Sequence, residues 1–299
     1  MSNLNFGGLP KEFTEYKSSK IAIYPIAFDK TASWLKGANK GPEAIIEASH
    51  YVELYDIETD SEVYQHGITT LPQFSPRSSI EMIDKSYENI TSLLGDEKFA
   101  VTLGGDHSVA IAPIKAHYDF YKDISILHLD AHADRRTEYE NNKYNHACVI
   151  ARAQEYVENI VSVGIRSMDV DEKKQFHFNN ATNLFLAEKI YRTKDGIWID
   201  EVLQALTNDK IYLTIDVDVF EIGLMPSTGT PEPGGLNWYQ VIKLLNAVCQ
   251  HKTLVGCDVV ELAPSPTNKA PDFMIAKMIY KLLSYKFCST PLPACFTDL

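Results

Sequence analysis

The stretch ISILHLDAHADRR, residues 124–136, decides how this chain is read. An apolar run with the composition of a buried strand ends abruptly in Asp130, His132 and Asp134. If the strand continues, these alternate residues turn to one face. Two carboxylates and an imidazole gathered there would be strongly unfavourable unless something pairs them. The spacing therefore asks for a shared positive partner. His128, inside the apolar run, reads as a core or structural residue pointing away from this cluster.

Outward from this stretch, short apolar runs alternate with amphipathic segments. Strands are expected at 20–28, 98–105, 124–131, 159–165, 183–188, 210–220 and 252–262. Helix-like segments are expected at 41–55, 78–95, 145–157, 200–208, 238–250 and 272–287. This alternation predicts an α/β fold, a mostly parallel sheet covered by helices. It runs without a linker or repeat, so one domain over 1–299 is expected.

Composition narrows the function classes. Apolar residues make up 45% of 299, enough for a large core, and the net charge of −12 argues against a nucleic-acid partner. No run approaches the ~20 apolar residues of a membrane span, and the start has no basic-then-apolar signal pattern. The cysteines, Cys148, Cys249, Cys257, Cys288 and Cys295, are scattered and odd in number. That pattern suits neither a disulfide framework nor a structural zinc site, and a reducing cytoplasm is the simplest compartment.

In parallel sheets, ligands bind at the carboxyl ends of the strands. Here the apolar runs end in GGDH (104–107), DAHAD (130–134), GIRS (164–167), DVDVF (216–220) and DVVE (258–261). Asp106 alone would be read as a turn or cap residue. Taken together, His107, Asp130, His132, Asp134, Asp216 and Asp218 offer carboxylates and imidazoles in excess of one tetrahedral zinc. Such a set suits two divalent ions bridged by carboxylates, and hard oxygen and imidazole donors favour Mn²⁺.

With GGDHS, DAHAD, DVDVF, STGTPEPGGL and DVVELAP in this order, the chain resembles the ureohydrolases, the arginase, agmatinase and formimidoylglutamase family. The resemblance implies a single three-layer α/β domain whose central, mostly parallel sheet has about eight strands. It also implies two Mn²⁺ per subunit, with a hydroxide held between them attacking the guanidinium carbon. By the resemblance, His107, Asp130, Asp134 and Asp216 bind one ion. Asp130, His132, Asp216 and Asp218 bind the other. Asp134 and His146 are the expected proton carriers, and Glu261 the carboxylate that orients the guanidinium. Thr230 is expected in the same pocket, and Arg166 and Ser167 at its rim or at an interface. The family is commonly a homo-oligomer, a trimer or hexamer.

TGTPEPGGL, GIRS and KYNHACV look closest to agmatinases, which implies a small cationic guanidino substrate, agmatine, cleaved to putrescine and urea. The far ammonium of agmatine needs acceptors, and the loop 135–145, with Glu138 or Glu140, is the expected outer wall. That loop departs from the family pattern, since Arg135 stands where Leu usually follows DAHAD. The alternatives are another guanidino or formimino substrate (arginine, guanidinobutyrate, guanidine or formimidoylglutamate), a deacetylase of the same fold, or a non-catalytic metal-stabilised binding protein. Deacetylase sites keep one metal and fewer carboxylates. A binding protein should have lost a ligand or the shuttle histidine.

Overall fold

The computed structural model describes residues 5–178, 183–193 and 196–288, so Cys295 and the ends of the expected 1–299 domain lie outside the described residues. Eight strands form one sheet: β1 Ile21–Pro25, β2 Ile68–Thr70, β3 Phe99–Leu103, β4 Ser125–Leu129, β5 Ile160–Ile165, β6 Leu184–Leu186, β7 Lys210–Asp216 and β8 Thr253–Val260. Their order is β2-β1-β3-β8-β7-β4-β5-β6, and every neighbouring pair is parallel. The chain builds outward from β1 and β3, crosses to β4, β5 and β6, then returns to fill the centre with β7 and β8. A crevice opens where the order reverses in this way.

The strands are largely apolar on both faces because helices cover both. On one side, Ile21, Ile23, Val101, Leu103, Leu127, Leu129, Val161, Val163, Leu213 and Ile215 share a core with four helices. These are α1 (Gly41–Ser49), α7 (Ile197–Ala205), α8 (Trp238–His251) and α9 (Ala270–Cys288). On the other side, Ala22, Tyr24, Ile126 and Tyr212 pack against α2 (Ser79–Gly95), α3 (Ile111–Tyr121) and α4 (Val149–Ala153). Each large apolar side chain buried this way contributes about 1.5–3 kcal/mol. Two shorter helices, α5 (Val170–Phe178) and α6 (Ala187–Arg192), flank the β6 edge. Among the described residues no helix is long and apolar enough to cross a membrane.

Some expectations need correction. β4 stops at Leu129, so Asp130, His132 and Asp134 stand on a loop rather than on alternate positions of a strand. The expected strand at 183–188 is only Leu184–Leu186 and passes directly into α6. The helix expected over 145–157 is regular only across Val149–Ala153. β2, α3, α5 and α6 were not anticipated: β2 is three residues long, and α3 carries Pro113 in its first turn, where proline is tolerated.

Candidate metal centre and substrate cavity

The polar strand endings do converge at the carboxyl edge of the sheet. β3 leads through Gly104 and Gly105 to Asp106 and His107, β7 ends on Asp216, and β8 is followed by Glu261. Gly105 permits the approach, since a Cβ there would lie 1.7 Å from Phe28 O. The loop 130–134 is fixed by its own backbone. Asp130 N donates to Val163 O, Ala131 N to Asp218 Oδ1, and His132 N to Asp130 Oδ1. Ala131 O receives the N–H groups of Arg166 and Ser167, and Asp134 O receives those of Ile150 and Ala151. Asp134 takes φ = 51°, a left-handed conformation that turns the loop toward α4.

Two donor clusters share Asp130. His107, His128, Asp130 and Asp134 form one, and Asp130, His132 and Asp218 the other. His107 Nδ1 lies 2.9 Å from Asp134 Oδ2, 3.1 Å from Asp130 Oδ2 and 3.6 Å from Asp216 Oδ2. His132 Nδ1 lies 2.9 Å from Asp218 Oδ2 and 3.5 Å from Asp130 Oδ1. Asp130 thus offers one oxygen to each histidine. Asp216 sits among Asp218, Asp130 and Glu261.

A polar row within the sheet sets these groups from beneath. Ser162, His128, Thr214, Asp258 and Thr102 are register partners across β5, β4, β7, β8 and β3. Thr214 Oγ1 donates to Asp258 Oδ1 at 2.7 Å, so it accepts from His107 Nε2, 2.9 Å away. Tyr212 OH donates to the other oxygen of Asp258. His128 Nε2 donates to Asp130 Oδ2 at 2.8 Å, with Ser162 Oγ 3.1 Å from Nδ1. His128 is buried as expected, but it does not face away from the cluster. It holds Asp130.

The tautomer is informative. With its hydrogen on Nε2, neutral His107 turns a bare Nδ1 toward three carboxylate oxygens, and Nδ1 makes no hydrogen bond with any of them. A lone pair facing carboxylates fits a cation between them. Without one, the charges conflict. Burial opposes the imidazolium of His107, yet Asp130 and Asp134 push the ring well above its usual range. His132 is likewise pushed up to about 12, burial being outweighed by Asp218 and Asp130. Burial, reinforced by Asp218 and Asp130, drives the Asp216 carboxyl well above the carboxylate range. Burial would raise Asp130 too, but His107 and His128 hold it well below. A set of oxygen and imidazole donors without cysteine suits hard divalent ions.

Three of these donors, His132, Asp134 and Asp216, form the floor of a cavity of about 270 Å³, where they meet Glu261, His146 and Thr230. Glu261 takes φ = 66°, and its Oε1 accepts from His107 N at 2.8 Å. Burial, with Asp106 nearby, raises its carboxyl well above the usual range. A larger hollow of about 550 Å³, lined by Leu184, Phe185, Ile190 and Trp198, lies at the β6 edge, away from the strand carboxyl ends.

Residues 19–284 match the sequence model of the Arginase family. The chain belongs to the arginase family. It is 33% identical over 290 residues to an N(1)-aminopropylagmatine ureohydrolase of Synechocystis sp., covering 92% of this chain and 94% of that protein. Over 268 residues it is 34% identical to an agmatinase of Halalkalibacterium halodurans, covering 86% and 89%. Among solved structures, an agmatine ureohydrolase of Thermoplasma volcanium superposes with a TM-score of 0.84 at 27% identity, covering 96% and 95%.

In this arginase-family hydrolase the outer wall differs from the expectation. Glu138 and Glu140 are exposed and do not line the cavity. Besides Asp134, Asp216 and Glu261, the acidic residues that line the cavity are Asp169 and Glu172, just before and in the first turn of α5, a short helix without a strong amphipathic signal in the sequence. Glu172 accepts from the backbone N–H groups of Arg135 and Asp169 at 2.8 and 2.7 Å. Arg135 is buried away from the cavity, its guanidinium 3.9 Å from the Phe176 ring centroid. Burial lowers it to about 10, so it stays charged at neutral pH. The arginine that lines the cavity is instead Arg136, set over Tyr139 and 3.8 Å from Glu172 Oε2. Arg166 is a clamp rather than a free rim residue. It donates to the carbonyls of Gly164, Asp218, Phe220, Glu232 and Pro233, which ties the GTPEPGG loop to β5. Ser167 lines the cavity.

Proposed function

We propose that this chain is a manganese-dependent ureohydrolase that cleaves agmatine to putrescine and urea. One observation carries the reading: the carboxylate and histidine cluster is the floor of a cavity that also presents Glu261, His146 and an acidic outer wall. His107, Asp130, Asp134 and Asp216 would hold one ion, and Asp130, His132, Asp216 and Asp218 the other. The two oxygens of Asp130, turned to different histidines, support the sharing. When bound, two such ions supply a water ionised near neutral pH, at a pKa of about 7 in favourable sites.

The rest is done by the chain. Glu261 accepts N–H groups of the planar guanidinium and fixes the carbon above the floor. Thr230 closes the same side. Asp134 takes a proton as the carbon–oxygen bond forms, and His146 delivers one to the leaving nitrogen as the carbon–nitrogen bond breaks. One water is consumed, urea leaves neutral, and the alkylamine leaves as its ammonium.

Agmatine is cationic at both ends, and Asp169 and Glu172, which line the same cavity, would receive its far ammonium. The carboxylate of arginine or guanidinobutyrate would meet the same acids. A second reading, an N-aminopropyl-extended agmatine, is favoured by the relatives that carry that activity in their name at 33–36% identity. A homo-oligomer, trimer or hexamer, in the cytoplasm completes the proposal, and light scattering of the purified chain tests the assembly.

Urea release with Mn²⁺ across agmatine, N(1)-aminopropylagmatine, arginine, guanidinobutyrate and guanidine tests the substrate. Agmatine is expected to have the highest kcat/KM. A preference for N(1)-aminopropylagmatine would move the assignment to the second reading, and turnover of arginine without agmatine would overturn both.

A further inference from the structure

His146 reaches the cavity from a single 3-10 turn, His146–Cys148, capped by Asn145. That turn does not hold the imidazole. A different segment does. His146 Nδ1 lies 2.5 Å from Thr31 O, and His146 N donates to Thr31 Oγ1 at 3.0 Å. A carbonyl oxygen only accepts, so Nδ1 carries hydrogen. In the neutral ring the basic nitrogen is then Nε2, on the side away from Thr31.

Thr31 is itself pinned. Its N–H and its hydroxyl both donate to Asp106 Oδ2 at 2.8 Å, while Asp106 Oδ1 accepts from Ser108 N and Oγ. Asp106 N donates to Phe28 O at 2.7 Å, so residues 28–31 dock on the turn that carries His107. Thr31 and Asp106 are 5% and 0% exposed, which shields these bonds from competing water. With its hydrogen given to Asp106, the Thr31 hydroxyl can only accept from His146. The chain of bonds has one direction.

We infer that Thr31, backed by Asp106, is a positioning residue for His146: its carbonyl selects the Nδ1–H tautomer and leaves Nε2 as the basic nitrogen, while its hydroxyl, held by Asp106, fixes that carbonyl and ties the proton carrier to the His107 turn. This gives Asp106 a second task beyond capping its turn. The inference rests on the reading of His146 as the proton carrier.

The test is a double-mutant cycle on the Mn²⁺-loaded full chain, with agmatine as substrate. His146→Asn should lower kcat by about 10²–10⁴. Thr31→Val, which keeps the shape and loses the hydroxyl, should lower kcat by about tenfold with KM within about twofold. Its manganese content should match wild type. Thr31→Ser, which keeps the hydroxyl and loses the methyl, should stay within about threefold of wild type. A packing role predicts the opposite order. In the His146→Asn background, Thr31→Val should cost nothing further. The inference is overturned if Thr31→Val has wild-type kcat, or costs the same factor with and without His146. If Thr31→Val does not fold, Thr31→Ala takes its place in the cycle. If His146→Asn keeps wild-type kcat, the proton-carrier reading fails and the inference with it. If the wild-type chain releases urea from no guanidine, the proposed function itself fails.

Discussion

The floor of the cavity is held by the sheet, whereas its outer wall is held by side chains that clasp loops. At the floor, the register of β3, β8, β7, β4 and β5 brings Thr102, Asp258, Thr214, His128 and Ser162 into one row, and members of that row grip His107 and Asp130. At the wall, Glu172 holds the backbone of Arg135 and Asp169, and Arg166 holds five carbonyls. Sheet register cannot shift by one residue without turning every side chain to the other face. Loop clasps can change one at a time. The floor is thus suited to fixing the chemistry and the wall to choosing the guanidine.

The largest effect that could break this contrast is at the floor. Asp130→Ala, and equally Asp216→Ala, should lose at least about one metal per chain and weaken retention of the rest, since breaking a buried charge pair costs about 3–5 kcal/mol. Elemental analysis of the purified variants checks it, and two tightly held ions in either would contradict the sharing of ligands. One layer down, Thr214→Val and His128→Leu remove groups that hydrogen-bond the proposed ligands His107 and Asp130. Each should weaken manganese affinity by about 10–100-fold with the fold intact, measured by competition with a chelator.

How much of this was legible in the sequence follows the same contrast. The donors of the floor follow strands whose apolar runs end visibly, and their order within the chain could be read directly. What could not be read was local. DAHAD lies on a loop beyond β4, and its side chains converge through backbone bonds to Val163, Asp218 and Arg166, distant in sequence. Strand parity therefore chose the right residues there for the wrong geometric reason, while His128, which shares the parity of Asp130 and holds it, was wrongly set apart from them. The wall was harder. Asp169 and Glu172 sit at and just before α5, a short helix without a strong amphipathic signal, and their approach to residues 135–139 is a tertiary event. GIRS placed the chain close to that wall, but nothing in it announced Asp169. Thr31 lies more than a hundred residues from His146, in a segment with no motif of its own.

At the wall the expected effects are smaller and fall on binding. Asp169→Asn should raise KM for agmatine by about tenfold, the loss of one charge-assisted contact, with kcat nearly unchanged. Steady-state kinetics decide this, and an equal fall in kcat would place Asp169 in the chemistry instead. Smallest of all, Arg135→Leu should leave KM within about twofold. It removes a stack on Phe176 worth about 0.5–2 kcal/mol of stability and no cavity charge. A large change in KM there would return Arg135 to the substrate.

The central claim is that one end of the sheet holds two ions beneath a guanidine cavity. Anomalous diffraction at the manganese edge, from crystals grown with Mn²⁺, tests it most directly. Two peaks are predicted, one enclosed by His107, Asp130, Asp134 and Asp216, the other by Asp130, His132, Asp216 and Asp218. A single peak, or peaks outside these residues, would contradict it.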